Sequence, residues 1–386
     1  MRFPEFKEEW ETIRASDLLE TFSTNSLTWD DLNYEGGAMK DVHYGLIHQR
    51  FDSAVMDSSS DLIPFIKPGK EPKKCTLVKE GDLILADASE DVAECGEPVE
   101  FSGNADYPMV SGLHTIHCRD KTGKTVAGFK SFLFGSLPVK QQIARLCEGT
   151  KIYSISNDTL RELWLSIPEK EEQAKIVSLL KNLDERIHVQ RKNIEELSIL
   201  KVTLQENVFK NFKNKESLKE AVELEKAHLY RGKIIPKHPR DERFKYPVYS
   251  SSQENLGLMG YWDTFMLDEE LISWSIDGGG KFFYRPKHKF NITNVCGYMR
   301  LNLSLYDCYF CYLYLDWQFK RMSFDYVSKA HPSVIQTLYS LPTITREQQS
   351  SISKPFKLID QLIDAECRLL TSLFVLKRYL LKNTFC

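Results

Sequence analysis

Few residues in this chain stand at spacings that serve familiar chemistry. His114-x-x-His117 lies in the strand-like run HTIHC, and we read no metal site there. Cys308-x-x-Cys311 lies in an apolar helical run without a second Cys or His pair at metal spacing, so both read as buried thiols. The three glycines of DGGGKFFY (Asp277–Tyr284) fall between strand-like runs and suit a hairpin or tight turn. No Gly-x-x-x-x-Gly-Lys-Ser/Thr phosphate loop, Gly-x-Gly-x-x-Gly turn or Gly-x-Ser-x-Gly elbow occurs. Carboxylates in the first block are too dispersed to nominate an acid/base pair. The Asn-Pro-Pro-aromatic and Asp-Pro-Pro-aromatic tetrapeptides with which amino-methyltransferases hold a base are missing too. On these residues the chain is not itself a catalyst, and no metal is assigned.

Charge carries more information than these motifs. The whole chain is −3, which announces no nucleic-acid partner. Residues 1–165 sum to −9, whereas 211–340 and 341–386 are +3 each. Inside the acidic first block, residues 112–161 sum to +5. Both long blocks therefore hold local basic patches. No run of about 18 apolar residues suits a membrane span, and the charged N-terminus lacks a signal-peptide apolar region. Nine scattered cysteines in a chain of 386 residues suit reduced thiols and a cytoplasmic location.

The elements that must position those patches are announced by a repeat. Shifting the sequence by 176 lays residues 165–209 over 341–385 without a gap, with 13 identities in 45 positions. They include Gln173/Gln349, Asp184/Asp360, Lys201/Lys377 and Phe209/Phe385. About two or three identities arise by chance at one offset, so this is an internal duplication. Alternating steps of four and three mark an apolar seam in each copy. The first seam holds Leu180, Leu183, Ile187, Ile194, Leu197 and Leu204, and the second holds Phe356, Ile359, Ile363, Leu370, Leu373 and Leu380. Even the polar interruptions match, Gln190 with Glu366 and Lys201 with Lys377. A helix of about 33 residues, on the order of 50 Å, cannot bury such a stripe alone, so we expect copy one to pack on copy two, the alternative being two amphipathic helices that each cover their own domain. Pro355 replaces Leu179, and we expect the second long helix to start near it.

The two blocks read as mixed α/β. The first offers GDLILAD, HTIHC, KTVAGF and KIYSIS as strands and LPVKQQIARLCEG as a helix. The second offers KYPVYSSS, ELISWSI, KFFYR and NVCGYMRL, then a helical CYFCYLYLDWQFKRM. KNKESLKE (Lys213–Glu220) reads as the linker before the second block.

The stretch L-x-I-P-x-x-E-E-Q-x-x-I-x-x-x-L-x-x-L-D-x-x-I, Leu165 to Ile187, resembles the conserved helical region of the specificity (S) subunits of Type I restriction–modification systems. So do RFPEF, HYGLIHQRF, LVKEGDLILADASED and GLHTI in the first block, and YPVYSSSQENLGLMGYWD with LISWSIDGGGKFFY in the second. The second helical copy departs from the pattern, with Glu347-Gln348-Gln349 for Glu-Glu-Gln and Thr343-Ile344 for Ile-Pro. The resemblance implies an α+β chain with a pseudo-twofold repeat. Two mixed α/β target recognition domains, residues 1–164 and 213–340, would be separated by antiparallel coiled-coil helices at 165–212 and 341–386. Each domain would read half of a bipartite, asymmetric site on double-stranded DNA, and the helices would set the spacing. Two modification subunits would methylate adenine with S-adenosylmethionine, and restriction subunits using ATP and magnesium would join; this chain would hold no cofactor.

Reading DNA needs cations for phosphates and polar side chains for base edges. In the first block the candidates are Tyr44, Ser89, His114, Lys121, Lys124, Lys130 and Lys140. In the second they are Ser251, Ser252, Gln253, Lys281, Arg285, Lys287, Lys289 and Lys329. Lys281 to Lys289 is the strongest cluster, four basic groups with no acid between them. The competing readings are a coiled-coil scaffold that binds only protein, and a stand-alone enzyme with an unrecognised nucleophile or metal.

Overall fold

The protein is described from a computed structural model. The description covers residues 2–51, 53–103, 105–235, 243–252, 254–277, 279–322 and 330–385. Gln253 and Lys329 lie outside it. The chain forms two compact units, residues 1–193 with 366–386, and residues 194–365.

In the first unit, β1 (Glu11–Arg14) precedes β2 (Leu19–Phe22), β3 (Val55–Asp57), β4 (Leu83–Ala86), β5 (Pro98–Ser102) and β6 (Thr115–Asp120). Strands β2 to β6 form one sheet in the order β2-β6-β4-β5-β3. Its pairs are antiparallel except β3 with β5. Strand β4 is LILA, buried at all four positions, as expected for a strand covered on both faces. The runs GDLILAD and HTIHC thus supply two central strands. KTVAGF supplies none: the Asp120 carboxylate accepts from the amides of Thr122, Gly123 and Thr125 and folds the segment into a turn. That turn leads into the buried helix Phe129–Phe134.

Strand β7 (Trp164–Ile167) pairs antiparallel with β1, and α1 (Lys170–Phe209) follows. In the second unit, β8 (Lys215–Ser217) comes from the expected linker KNKESLKE, which is therefore structured. Next come β9 (Ala227–Arg231), β10 (Tyr246–Tyr249), β11 (Leu258–Trp262), β12 (Leu267–Ser275), β13 (Phe282–Ile292) and β14 (Cys296–Leu301). Their sheet runs β9-β14-β12-β13-β10-β11. Helix α2 (Cys308–Phe319) buries Cys308 and Cys311 as free thiols. Strand β15 (Ser340–Pro342) pairs antiparallel with β8, and α3 (Arg346–Thr384) follows.

The two sheets share five strand positions in the same order and directions, including one parallel pair each, β3 with β5 and β10 with β13. Blocks of unlike sequence thus carry one topology, and the duplication extends beyond the helices.

Each unit contains half of a helix pair. In the first, Leu180, Leu183 and Ile187 share one core with Leu373, Leu380 and Phe385, and Leu370 packs on it. Asp184 is ion-paired with Lys377, and the Gln190 amide donates to the Glu366 carbonyl at 3.3 Å. Numbers rise on one helix as they fall on the other, so the pair is antiparallel. In the second, Phe209 and Phe356 share a core with Leu204 and Ile352, and Lys201 is 2.5 Å from Asp360. Ile359 is buried there, and Ile194, Leu197 and Ile363 are half-buried. Seven of the twelve seam residues are buried and five are half-buried.

Pro355 corrects one expectation. Helix α3 begins nine residues before it, at Arg346. The proline ring lies on the exposed face while Ser353 and Phe356 on either side are buried. Lys357 and Ser353 both bond Asp307 at 3.3 Å. These contacts offset the roughly 3 kcal/mol that an interior proline costs.

Candidate nucleic-acid interface

In the first unit, strand register builds a polar patch. Antiparallel β4 and β6 place Ala86 opposite Thr115, so the next residues out, Asp87 and His114, meet across the strand ends. The Asp87 amide donates to the His114 carbonyl, and the His114 ring lies 3.2 Å from the Asp87 carboxylate. His114 has a left-handed backbone, φ 53°, which a residue with a side chain seldom adopts. Tyr44 starts the short helix Tyr44–Gln49, capped by His43, whose ring nitrogen accepts from the Gly45 amide. Its ring meets His114 edge-on at 5.3 Å and lies 4.7 Å from His43, which in turn lies 4.5 Å from Trp29. His48 reaches the Ala88 carbonyl, and the Ser89 hydroxyl donates to Glu94. Tyr44, Ser89 and His114 thus belong to one patch. Trp29, His43, His48 and Asp87 complete it; the aromatic–histidine run HYGLIHQ was the sequence signal for His43 and His48.

Burial shifts several titratable groups in and near this patch. Asp41 is buried, accepts from the Asn25 amide at 2.6 Å, and its other oxygen has no hydrogen-bond partner. Burial pushes its carboxyl up to about 7. Burial and then the charge of His114 push His43 down to about 4, keeping it neutral. Burial also raises Asp87. The exposed face can stack on a base and exchange hydrogen bonds with its edge.

The lysine candidates of this unit separate. Lys121 donates to the Ser16 carbonyl, Lys124 to Glu11, and Lys140 to Glu97. Lys130 is 2% exposed and bonds Glu100, itself fully buried, at 2.8 Å. That carboxylate also accepts from the Gly128 and Ser131 amides, so the pair fastens helix Phe129–Phe134 to β5. Lys130 therefore cannot meet a phosphate, contrary to expectation; its whole helix is buried.

In the second unit, strand β13 presents Lys287 and Lys289 to solvent, with Lys289 4.6 Å over the Phe265 ring. Lys281 lies over Phe283. Arg285 is inside, contrary to expectation. Glu269 pairs with His288 but Leu271 with Arg285, so β13 carries one extra residue at Pro286–Lys287. This bulge reverses the alternation. Leu271 faces Arg285 before it, whereas His288, Phe290 and Ile292 turn inward after it and release Lys287 and Lys289. Burial lowers the Arg285 guanidinium to about 10. Ser251 is half-buried and accepts from the Ser275 hydroxyl through its carbonyl, while Ser252 is exposed. Among the described residues no three His, Cys, Asp or Glu side chains gather as a metal site.

The family model described as the Type I restriction modification DNA specificity domain matches residues 7–198 and 214–364. The chain belongs to this family. Its specificity-domain relatives include a putative type I specificity subunit N-terminus of Mycoplasma pneumoniae, 39% identical over 77 residues, which are 19% of this chain and 41% of that protein. A second from that organism is 28% identical over 130 residues, 33% of this chain and 32% of its own length. The chain thus spans under half of each of these two relatives. A third is 25% identical over 201 residues, 51% of this chain and 70% of the relative. The crystal structure of an S subunit from M. genitalium matches 100% of this chain and 99% of its own, with TM-score 0.64 and 18% identity. At that identity the likeness concerns the fold.

Proposed function

We propose that this chain is the DNA-sequence-specificity subunit of a Type I restriction–modification complex and is not itself catalytic. Each mixed α/β block reads one half of a bipartite, asymmetric site on double-stranded DNA, and the paired helices hold the two readers at a set spacing. The observation that carries this reading is the reciprocal clasp of the repeat. Asp184 of copy one takes Lys377 of copy two, and Lys201 of copy one takes the equivalent Asp360. Two sheets of common topology but different surface residues suit two unlike half-sites.

Two modification subunits dock on the helices and bring S-adenosylmethionine; restriction subunits bring ATP and magnesium. Apolar side chains left exposed on the helices, among them Leu179, Val189, Leu362, Leu369 and Leu376, support protein docking there. The complex works in the cytoplasm, and among the described residues no helix is long and apolar enough to cross a membrane. The test is methylome sequencing of a host carrying an adenine methyltransferase partner with and without this chain. A bipartite methylated motif that appears only with the chain is expected. A scaffold that binds only protein would leave the methylome unchanged and show no salt-dependent DNA binding.

A further inference from the structure

Outside the patch in the first unit, two adjacent non-glycine residues with left-handed backbone fall in the turn between β10 and β11. Tyr249 pairs with Leu258, so a loop of eight residues closes this hairpin. Asn255, Leu256 and Gly257 are all left-handed, at φ 46°, 51° and 78°. Two of the three carry side chains, and Leu256 is 70% exposed. A two-residue Asn-Gly turn would close a hairpin without that strain. Glu225, left-handed as well, needs no such explanation: it follows the end of helix Leu218–Glu223, and its amide caps the Val222 carbonyl.

The turn is held from below. Arg285 is 3% exposed and has no carboxylate partner among the described residues. It donates to the Leu256 carbonyl at 2.8 Å and to the Ser273 hydroxyl at 2.9 Å. Its guanidinium lies over Tyr249, 3.6 Å from the ring centre. The Ser250 amide donates to the Gly257 carbonyl, and the Ser275 hydroxyl to the Ser251 carbonyl. A buried cation thus fastens the base of a strained loop whose tip is solvent-exposed. Strain fixed in this way by surrounding groups points to residues held ready for a partner.

We infer that Asn255 and Leu256 are specificity-determining residues of the second recognition block, contacting base edges, and that Arg285 is their positioning residue. This rests on the DNA-reading function proposed above. The tip suits an A·T pair. A carboxamide bonds adenine N6 and N7 together, and an aliphatic side chain packs on the thymine methyl group. A lysine in place of Arg285 would keep the charge but lose the planar fork that reaches two acceptors.

The experiment uses the full complex, this chain with its methyltransferase partner, and reads the methylated motif in Asn255→Ala, Leu256→Ala and Arg285→Lys. Thermal melting accompanies each variant; the two tip residues are exposed, and their truncation is expected to leave the melt unchanged. One half-site should stay as in the wild type. In the other, one or two A·T positions should lose discrimination by about 10-fold or more in both tip variants. Arg285→Lys should relax those same positions. An unchanged motif in both tip variants would overturn the inference. Uniform loss of methylation in Arg285→Lys with the motif intact would make that residue structural only. A wild-type complex that writes no bipartite motif would instead refute the functional proposal beneath it.

Discussion

Gln173 and Gln349 stand 176 residues apart and make the same hydrogen bonds. Each side-chain amide donates to the carbonyl five residues before it, Pro168 or Ile344. Each donates again to a carbonyl of an α/β block, Lys124 or Leu305. Each oxygen accepts from an amide of the same block, Val126 or Asp307. Both are fully buried. The glutamine common to the two helical copies is thus the bolt between a long helix and the block packed on its start.

Removing that bolt strands buried backbone groups. Gln173→Ala should destabilise the first unit by about 2–3 kcal/mol, read by chemical denaturation. Gln173→Glu should cost more at pH 8, because a carboxylate would face the Lys124 and Pro168 carbonyls. Lowering the pH should restore part of that loss by protonating it.

The ion pairs admit a charge swap. Asp184 is 2% exposed, so Lys377→Met leaves a buried carboxylate without its cation and should cost roughly 3–5 kcal/mol. Asp184→Lys should be worse, and adding Lys377→Asp to it should recover part of the loss. Additive single-mutant costs would show that the two residues do not couple.

Asp41 makes stability depend on pH. Its carboxyl is raised to about 7 from 3.8, so the folded state holds its proton more tightly than the unfolded chain. Its stabilising contribution is complete below the unfolded value and disappears as pH rises toward 7. Asp41→Asn removes this decline. The variant should gain melting temperature over wild type increasingly between those limits, and the gain should level off above them. A difference that does not vary with pH would contradict the assignment.

Surface and buried lysines should behave differently toward DNA. Lys287→Gln with Lys289→Gln should lower affinity and flatten the dependence of log K on log salt by about 0.9 per lost phosphate contact. Lys130→Met should instead lower stability, since it abandons buried Glu100, and leave the salt slope of the folded fraction unchanged.

Much of this arrangement was legible because it is periodic. The seam from Leu180 to Leu380 follows a 3.5-residue spacing that suits helix pairing, and runs such as LILA read as buried strands. What escaped depended on breaks in period or on distant partners. One extra residue at Pro286–Lys287 sends Arg285 inward; the proline inside the strand was the only local signal of that bulge. Lys130 reads as a surface charge until Glu100, thirty residues earlier, is found beside it. Pro355 reads as a helix start because its burial-driven neighbours are invisible in one dimension. Asp120 turned KTVAGF away from a strand through side-chain hydrogen bonds to amides. The shared order of the two sheets was hidden because topology survives substitutions that erase sequence likeness.

The most direct measurement lengthens the paired helices. Seven residues inserted into each, between Gln190 and Ile194 and at the equivalent 366–370, keep the seam in phase and add about 10 Å, on the order of three base pairs. Methylome sequencing of the complex should then return both half-sites unchanged with the gap between them longer by about three base pairs. The same gap as in the wild type, with methylation retained, would contradict the claim that the paired helices set the spacing of two readers.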